Sequence, residues 1–216
     1  MTVTPMFPLG SALLPGERLP LHIFEQRYQD MLRDCLAMED PSFGVVLIAR
    51  GREAGGGDVR YDVATKARIV GHRDIGGGRH LIECVGAERI RVDVWLEDDP
   101  YPRADVRAWP DETSDAPPRS PLAALELDVL RDKIDEMYRL VGKLAAAENA
   151  AAPPAPSFSS LPDDPGERLF LLASQVPMGE SDRQTILEAP GPGERLRALL
   201  DAIDTATDIV RFRLQG

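Results

Sequence analysis

From Met6 to Trp109 the apolar residues come in short runs that alternate with polar positions and are broken by glycine clusters. That period-two pattern predicts strands joined by hairpins, at 42–49, 62–70, 80–85, 91–96 and 104–109. The segment 74–79, Asp-Ile-Gly-Gly-Gly-Arg, supplies residues that tolerate positive φ and predicts a hairpin turn. Gly55, Gly56 and Gly57 predict a second, flexible loop. One stretch has a different period. Tyr28, Met31, Leu32, Cys35 and Leu36 fall at i, i+3, i+4, i+7 and i+8, the stripe of a helix that must pack on the sheet to hide its apolar face.

The pattern changes after Trp109. Residues 110–121 are polar and carry four prolines, so they form no core element and predict a linker between a β-rich domain (1–109) and a helical one (122–216). Leu130, Ile134, Met137, Val141 and Leu144 are spaced four, three, four and three, a seam that calls for a partner helix within the chain or in a second copy. Prolines 153, 154 and 156 end that helix. Asp164-Pro165 predicts a capped helix start, Ser181 with Gln184 a capping box, and Pro192 the opening of a last helix with Leu196, Leu199, Leu200 and Ile203 on one face. The expected class is therefore α+β, strands and one helix first, then a C-terminal α-helical bundle.

Charge narrows the partners. With 216 residues and a net charge of −11, the chain repels phosphate backbones and anionic headgroups, which disfavours nucleic acid and membrane surfaces. The N-terminus has no basic and apolar leader, and no run approaches membrane-spanning length. Cys35 and Cys84 lie in different expected elements and read as small buried hydrophobes, which fits a reducing, cytoplasmic setting.

Candidate chemistry is sparse. The Gly142-Lys143 pair runs into Leu144 inside a helix, so it is no phosphate loop, and no Gly-x-Ser-x-Gly or His-Glu-x-x-His occurs. His22, His72 and His80 have no ligand partner at helical or Cys-x-x-Cys spacing, so a metal site would need a long-range arrangement, and no metal or cofactor is expected. His72-Arg73-Asp74 spells part of a kinase catalytic loop without the rest of that machinery. The acids at 97–99 and 163–164 sit in loops and read as solvated charge.

Met6 to Tyr28 is the most distinctive segment. Its prolines at 8, 15 and 20 rule out a continuous helix and predict an extended crossing with rigid corners. Phe24 is expected to anchor in the core, with Arg27 and Glu25 tying down the helix start. This segment, with residues 43–48, Ala67 and Ile69, Gly78-Arg79, Gly86, Arg89 to Val92 and Pro100-Tyr101, resembles the N-terminal domain family of Lon proteases in its short standalone bacterial form. In the second half, residues 161–164, 182–184, 188–190 and Arg195-Leu196 are similar to the helical part of the same group.

The resemblance implies a PUA-like β pseudobarrel with one packed helix, followed by the helical bundle, and a role in recognising polypeptide segments. The chain carries neither the ATPase nor the Ser-Lys peptidase part, so the expectation is a non-catalytic, protein-binding module. Glu25, Arg27, Tyr28 and Met31 are the candidate binding residues, beside a core role for the same side chains. The alternative is an RNA-binding PUA-like module, for which Arg89, Arg91, Arg103 and Arg107 would have to form a basic stripe.

Overall fold

A computed structural model describes residues 2–50, 59–112 and 121–215. The chain divides into two compact units, Met1–Pro110 and Asp111–Gly216. The triple-glycine loop at 55–57 lies outside the described residues, as does most of the expected linker.

The first unit contains β1 (Thr2–Leu9), β2 (Arg18–Ile23), α1 (Gln26–Leu36), β3 (Ser42–Arg50), β4 (Val59–Arg60), β5 (Val63–Asp74), β6 (His80–Trp95) and β7 (Arg103–Ala108). The hydrogen-bonded order is β1-β7-β6-β5-β3-β4, and β1 also pairs with β3, so the path β1-β7-β6-β5-β3 returns to its start. The β1–β3 pairing is parallel and the others are antiparallel, which makes the sheet mixed. β2 stands off this circuit and pairs with the first half of β6.

Adjacent side chains of β1 point to opposite faces and so enter two different cores. Phe7 and Leu9 join Tyr28, Met31, Leu32 and Cys35 of α1 with Phe43, Ile82 and Cys84 of the sheet. Met6 joins Val46, Ala64, Ile90, Val92, Ala104 and Val106. Gly44, opposite Phe7's neighbour in the register, leaves the space that Met6 fills: a Cβ there would stand 2.4 Å from the Met6 sulfur. The helical stripe closes as expected except at its end, where Leu36 is 38% exposed.

Two expected strands, 80–85 and 91–96, are one strand of 16 residues. The polar residues between them hide its continuity, because that stretch is held by ladder bonds to β5 rather than by alternating burial. Gly86 lies in the middle, where a Cβ would come within 2.4 Å of the Leu14 carbonyl oxygen. β5 likewise runs past 70 to Asp74, its exposed end paired residue by residue with β6. Gly76, Gly77 and Gly78 all have positive φ in the expected turn, and the Gly76 N–H donates to Asp74 Oδ1 at 2.7 Å.

The second unit contains α2 (Pro121–Ala147), α3 (Pro165–Gln175), α4 (Glu180–Glu188) and α5 (Pro192–Arg213). α2 packs on α5, and α3 and α4 pack on α5 and on each other. Leu130, Ile134 and Met137 are fully buried, so the seam finds its partner helix within the chain. Farther along, Leu140 and Ala145 are buried while Val141 and Leu144 are half-buried, the drift expected of a 3.6-residue turn against a 3.5-residue repeat. Asp164 caps α3, accepting from the Glu167 N–H at 2.8 Å. Ser181 is no cap: α4 begins earlier, with Gly179 at the N-cap and no side-chain cap bond, so Ser181 is already helical. Asp111 and Glu112 are docked onto this unit, Glu112 through its N–H to the Pro190 carbonyl at 2.9 Å.

Candidate functional site

β2 follows strict alternation. Ile23 points into the core at 1% exposure, while Arg18, Pro20 and His22 lie outward. Phe24 continues the outer set: it is 60% exposed and its ring lies 5.6 Å from that of His22. The expectation that Phe24 anchors in the core is therefore overturned. Only Ile23 separates it from His22, so the pleat carries both rings to one face and Ile23 takes the inward position.

The same outer face continues across β6 and β5. His22 stands opposite Leu81 and Pro20 opposite Glu83, and on the other side Arg73 faces Leu81 and Gly71 faces Glu83. These six residues border an open groove of ≈ 490 Å³. Leu81 forms apolar floor, Pro20 supplies a rigid wall, and Gly71 adds no side chain. Glu83 is paired with Arg18 across the strands, which leaves the mouth of the groove with charge of both signs. Val70 and Ile75 of the same hairpin are 50% and 39% exposed.

The helix residues singled out from the sequence lie together but mostly inside. Tyr28 and Met31 are 4% and 1% exposed, and the Tyr28 ring stacks on Phe7 at 4.2 Å. Glu25 and Arg27 are half-buried and paired at 3.2 Å, and the Arg27 guanidinium sits 4.5 Å over the Tyr28 ring. This chain of contacts fastens α1 to β1. Nearby, the Tyr101 hydroxyl donates to Asp34 at 2.7 Å; burial first, and then that bond, raise its pKa. Burial also pushes the Cys35 and Cys84 thiols up to about 12.

The groove residues were missed because the sequence sorted side chains by type. Their signal was present in the alternation from Arg18 to Phe24, which names the outer face once the strand is recognised. Of the four arginines of the RNA alternative, Arg91 is exposed and lies 5.4 Å from the Trp109 ring, and the other three are engaged elsewhere. Arg89 is buried with its guanidinium 4.3 Å over Trp109, Arg107 is paired with Asp93, and Arg103 donates to the Glu97 carbonyl at 3.4 Å. Among the described residues, no helix is long and apolar enough to cross a membrane.

Comparison with known proteins places this architecture. The model of the ATP-dependent protease La (LON) substrate-binding domain matches residues 3–205. Lon protease 2 of Myxococcus xanthus is 27% identical over 213 residues, covering 97% of this chain and 24% of that protein. The Lon protease of Anaeromyxobacter dehalogenans (strain 2CP-C) is 26% identical over the same length, with the same coverage. The chain thus spans about a quarter of the length of the curated relatives it matches. Among solved structures, the Lon N-terminal domain protein from Xanthomonas campestris superposes with a TM-score of 0.63 at 27% identity, covering 93% of this chain and 98% of that one. The N-terminal domain of the Mycobacterium avium complex Lon protease shares the fold, with a TM-score of 0.58 at 16% identity over 94% of this chain and 98% of that one.

Proposed function

The chain belongs to the LON substrate-binding domain family, and from that premise we propose that it captures extended polypeptide segments by seating an apolar side chain in the groove between β2 and the β5–β6 hairpin. The observation that carries this is Phe24, a large aromatic left 60% exposed beside an apolar-floored groove. Exposed aromatics bordering a concavity are the usual anchors of binding surfaces. No catalytic step is assigned to this chain, whose setting we take to be cytoplasmic.

Capture takes place on the face of the sheet rather than along its edge. Glu17 accepts from the Gly86 N–H at 2.9 Å, so the backbones of alternate residues Leu19, Leu21 and Ile23 turn toward β6, and those of Arg18, Pro20 and His22 turn away. Proline at the middle of the outward row removes a donor that an added strand would need. That arrangement guards the edge against strand addition and leaves the side-chain face as the contact surface.

In the same reading, the closed strand circuit is a PUA-like pseudobarrel and α2 to α5 form a helical bundle, with a linker at 110–121. Glu25 and Arg27 follow Phe24 at the start of α1 and are paired with each other there, while Tyr28 and Met31 act through packing that holds α1 in place. The test is an anisotropy titration of the chain with a labelled, permanently unfolded polypeptide, run beside a labelled single-stranded RNA of similar length. Saturable polypeptide binding with silent RNA is the expected result. RNA binding that weakens steeply with salt would replace this reading with the nucleic-acid one.

A further inference from the structure

The histidines that sequence spacing left without a ligand partner include two that the β5–β6 hairpin brings into contact. His72 Nε2 lies 3.1 Å from His80 Nδ1, with the ring centroids 5.2 Å apart and the planes inclined by 37°. His72 is paired in the register with Ile82 and Asp74 with His80, so the two imidazoles meet diagonally across adjacent strands. His72 is exposed and His80 half-buried, which leaves water a route to both.

We propose that this pair is a binding site for a late first-row divalent metal ion, Zn(II) being the probe. Zinc bonds to imidazole nitrogen run about 2.0–2.1 Å. Two such bonds spanning the observed 3.1 Å enclose an angle of about 98°, between the cis angle of an octahedron and the tetrahedral angle. The two nitrogens thus already stand at a chelate's separation, and each ring swings by about 40° to turn its lone pair from the other ring onto a common ion. On binding, the proton between the rings moves to the far nitrogen of whichever ring held it, leaving Nε2 of His72 and Nδ1 of His80 as neutral donors and releasing no proton from the neutral pair.

The hairpin holds this geometry without the metal. Ile75 N–H donates to the Arg79 carbonyl at 2.9 Å, closing the turn between the two strands. The Arg79 side chain is turned toward the Gly76 carbonyl at 3.5 Å, and Arg73 points to the opposite face of the sheet, so neither cation is aimed at the rings. Among the described residues no third His, Cys, Asp or Glu joins the pair, so water completes the coordination and the ion exchanges readily. Occupancy would staple β5 to β6 one step from the turn and place positive charge on the face of the hairpin opposite the groove.

The site stands on its own geometry and is tested without any polypeptide. Zn(II) is titrated into the untagged full chain by calorimetry at neutral pH, with His72→Ala, His80→Ala and His22→Ala in parallel and circular dichroism confirming that each is folded. The expected result is one saturable site, weakened at least about tenfold in His72→Ala and in His80→Ala and retained in His22→Ala. No saturable binding up to ~1 mM, or binding retained in either hairpin variant, would overturn it.

Discussion

Arg195 of α5 has no exposed surface, and it holds Asp111 through two parallel contacts, one of them 2.7 Å from Nη1 to Oδ2. Its guanidinium also lies 3.7 Å over the Phe170 ring of α3, and Gly166 beside it leaves no side chain in the way. One cation thus joins α3, α5 and the residues that lead into α2. Removing the carboxylate leaves a buried charge without its partner, so Asp111→Ala is expected to destabilise the helical unit by about 3 kcal/mol, as breaking a buried pair does. Urea denaturation checks it; a change under about 0.5 kcal/mol would show the pair to be incidental.

Gly86 and Gly71 separate packing from binding. A Cβ at Gly86 would meet the Leu14 backbone oxygen at 2.4 Å, and backbone cannot swing aside as a side chain can. Gly86→Ala should therefore cost about 2 kcal/mol, within the range of overpacked cores. At Gly71 the nearest atom is Glu83 Cβ at 3.5 Å, ordinary contact, so Gly71→Ala should leave stability within about 0.5 kcal/mol while partly filling the groove. Paired thermal melts and polypeptide titrations distinguish the two.

Alkali should unfold the first unit. Burial pushes the Cys35 and Cys84 thiols from 9.0 up to about 12, and the Tyr101 phenol is raised as well. Between about pH 9 and 12 the native state keeps protons that the unfolded chain releases, so stability is fully present below about pH 9 and falls as pH rises through that window. Denaturation midpoints measured across the window should drop steadily; a flat profile would contradict it. The same burial predicts that a thiol reagent reacts with both cysteines only after unfolding.

The helix at Asp164 offers a local check. Its carboxylate accepts the Glu167 N–H at 2.8 Å, and Asp164→Ala should cost about 1 kcal/mol by urea denaturation, the usual worth of a cap. A loss below a few tenths would show that water replaces the bond freely.

How much of this was legible depended on whether burial or backbone pairing fixed each element. The stripe from Tyr28 to Cys35 and the proline-opened helices were readable, because side-chain period alone determines them. The length of β6 was not, since its middle is held by a ladder to β5 that leaves no mark in hydropathy. The His72–His80 contact depends on the register across the turn, which spacing along the chain does not reveal. Phe24 was misplaced because its apolar ring outweighed its position in the alternation. That position is what puts it on the surface.

The proposed capture of polypeptide on the outer face of β2 is tested most directly by Phe24→Ser. Phe24 is 60% exposed, so its loss should leave the melting curve unchanged while weakening binding of an unfolded polypeptide by about tenfold or more, the scale of an aromatic anchor. An affinity within about twofold of the unaltered chain, with the fold intact, would place the binding surface elsewhere.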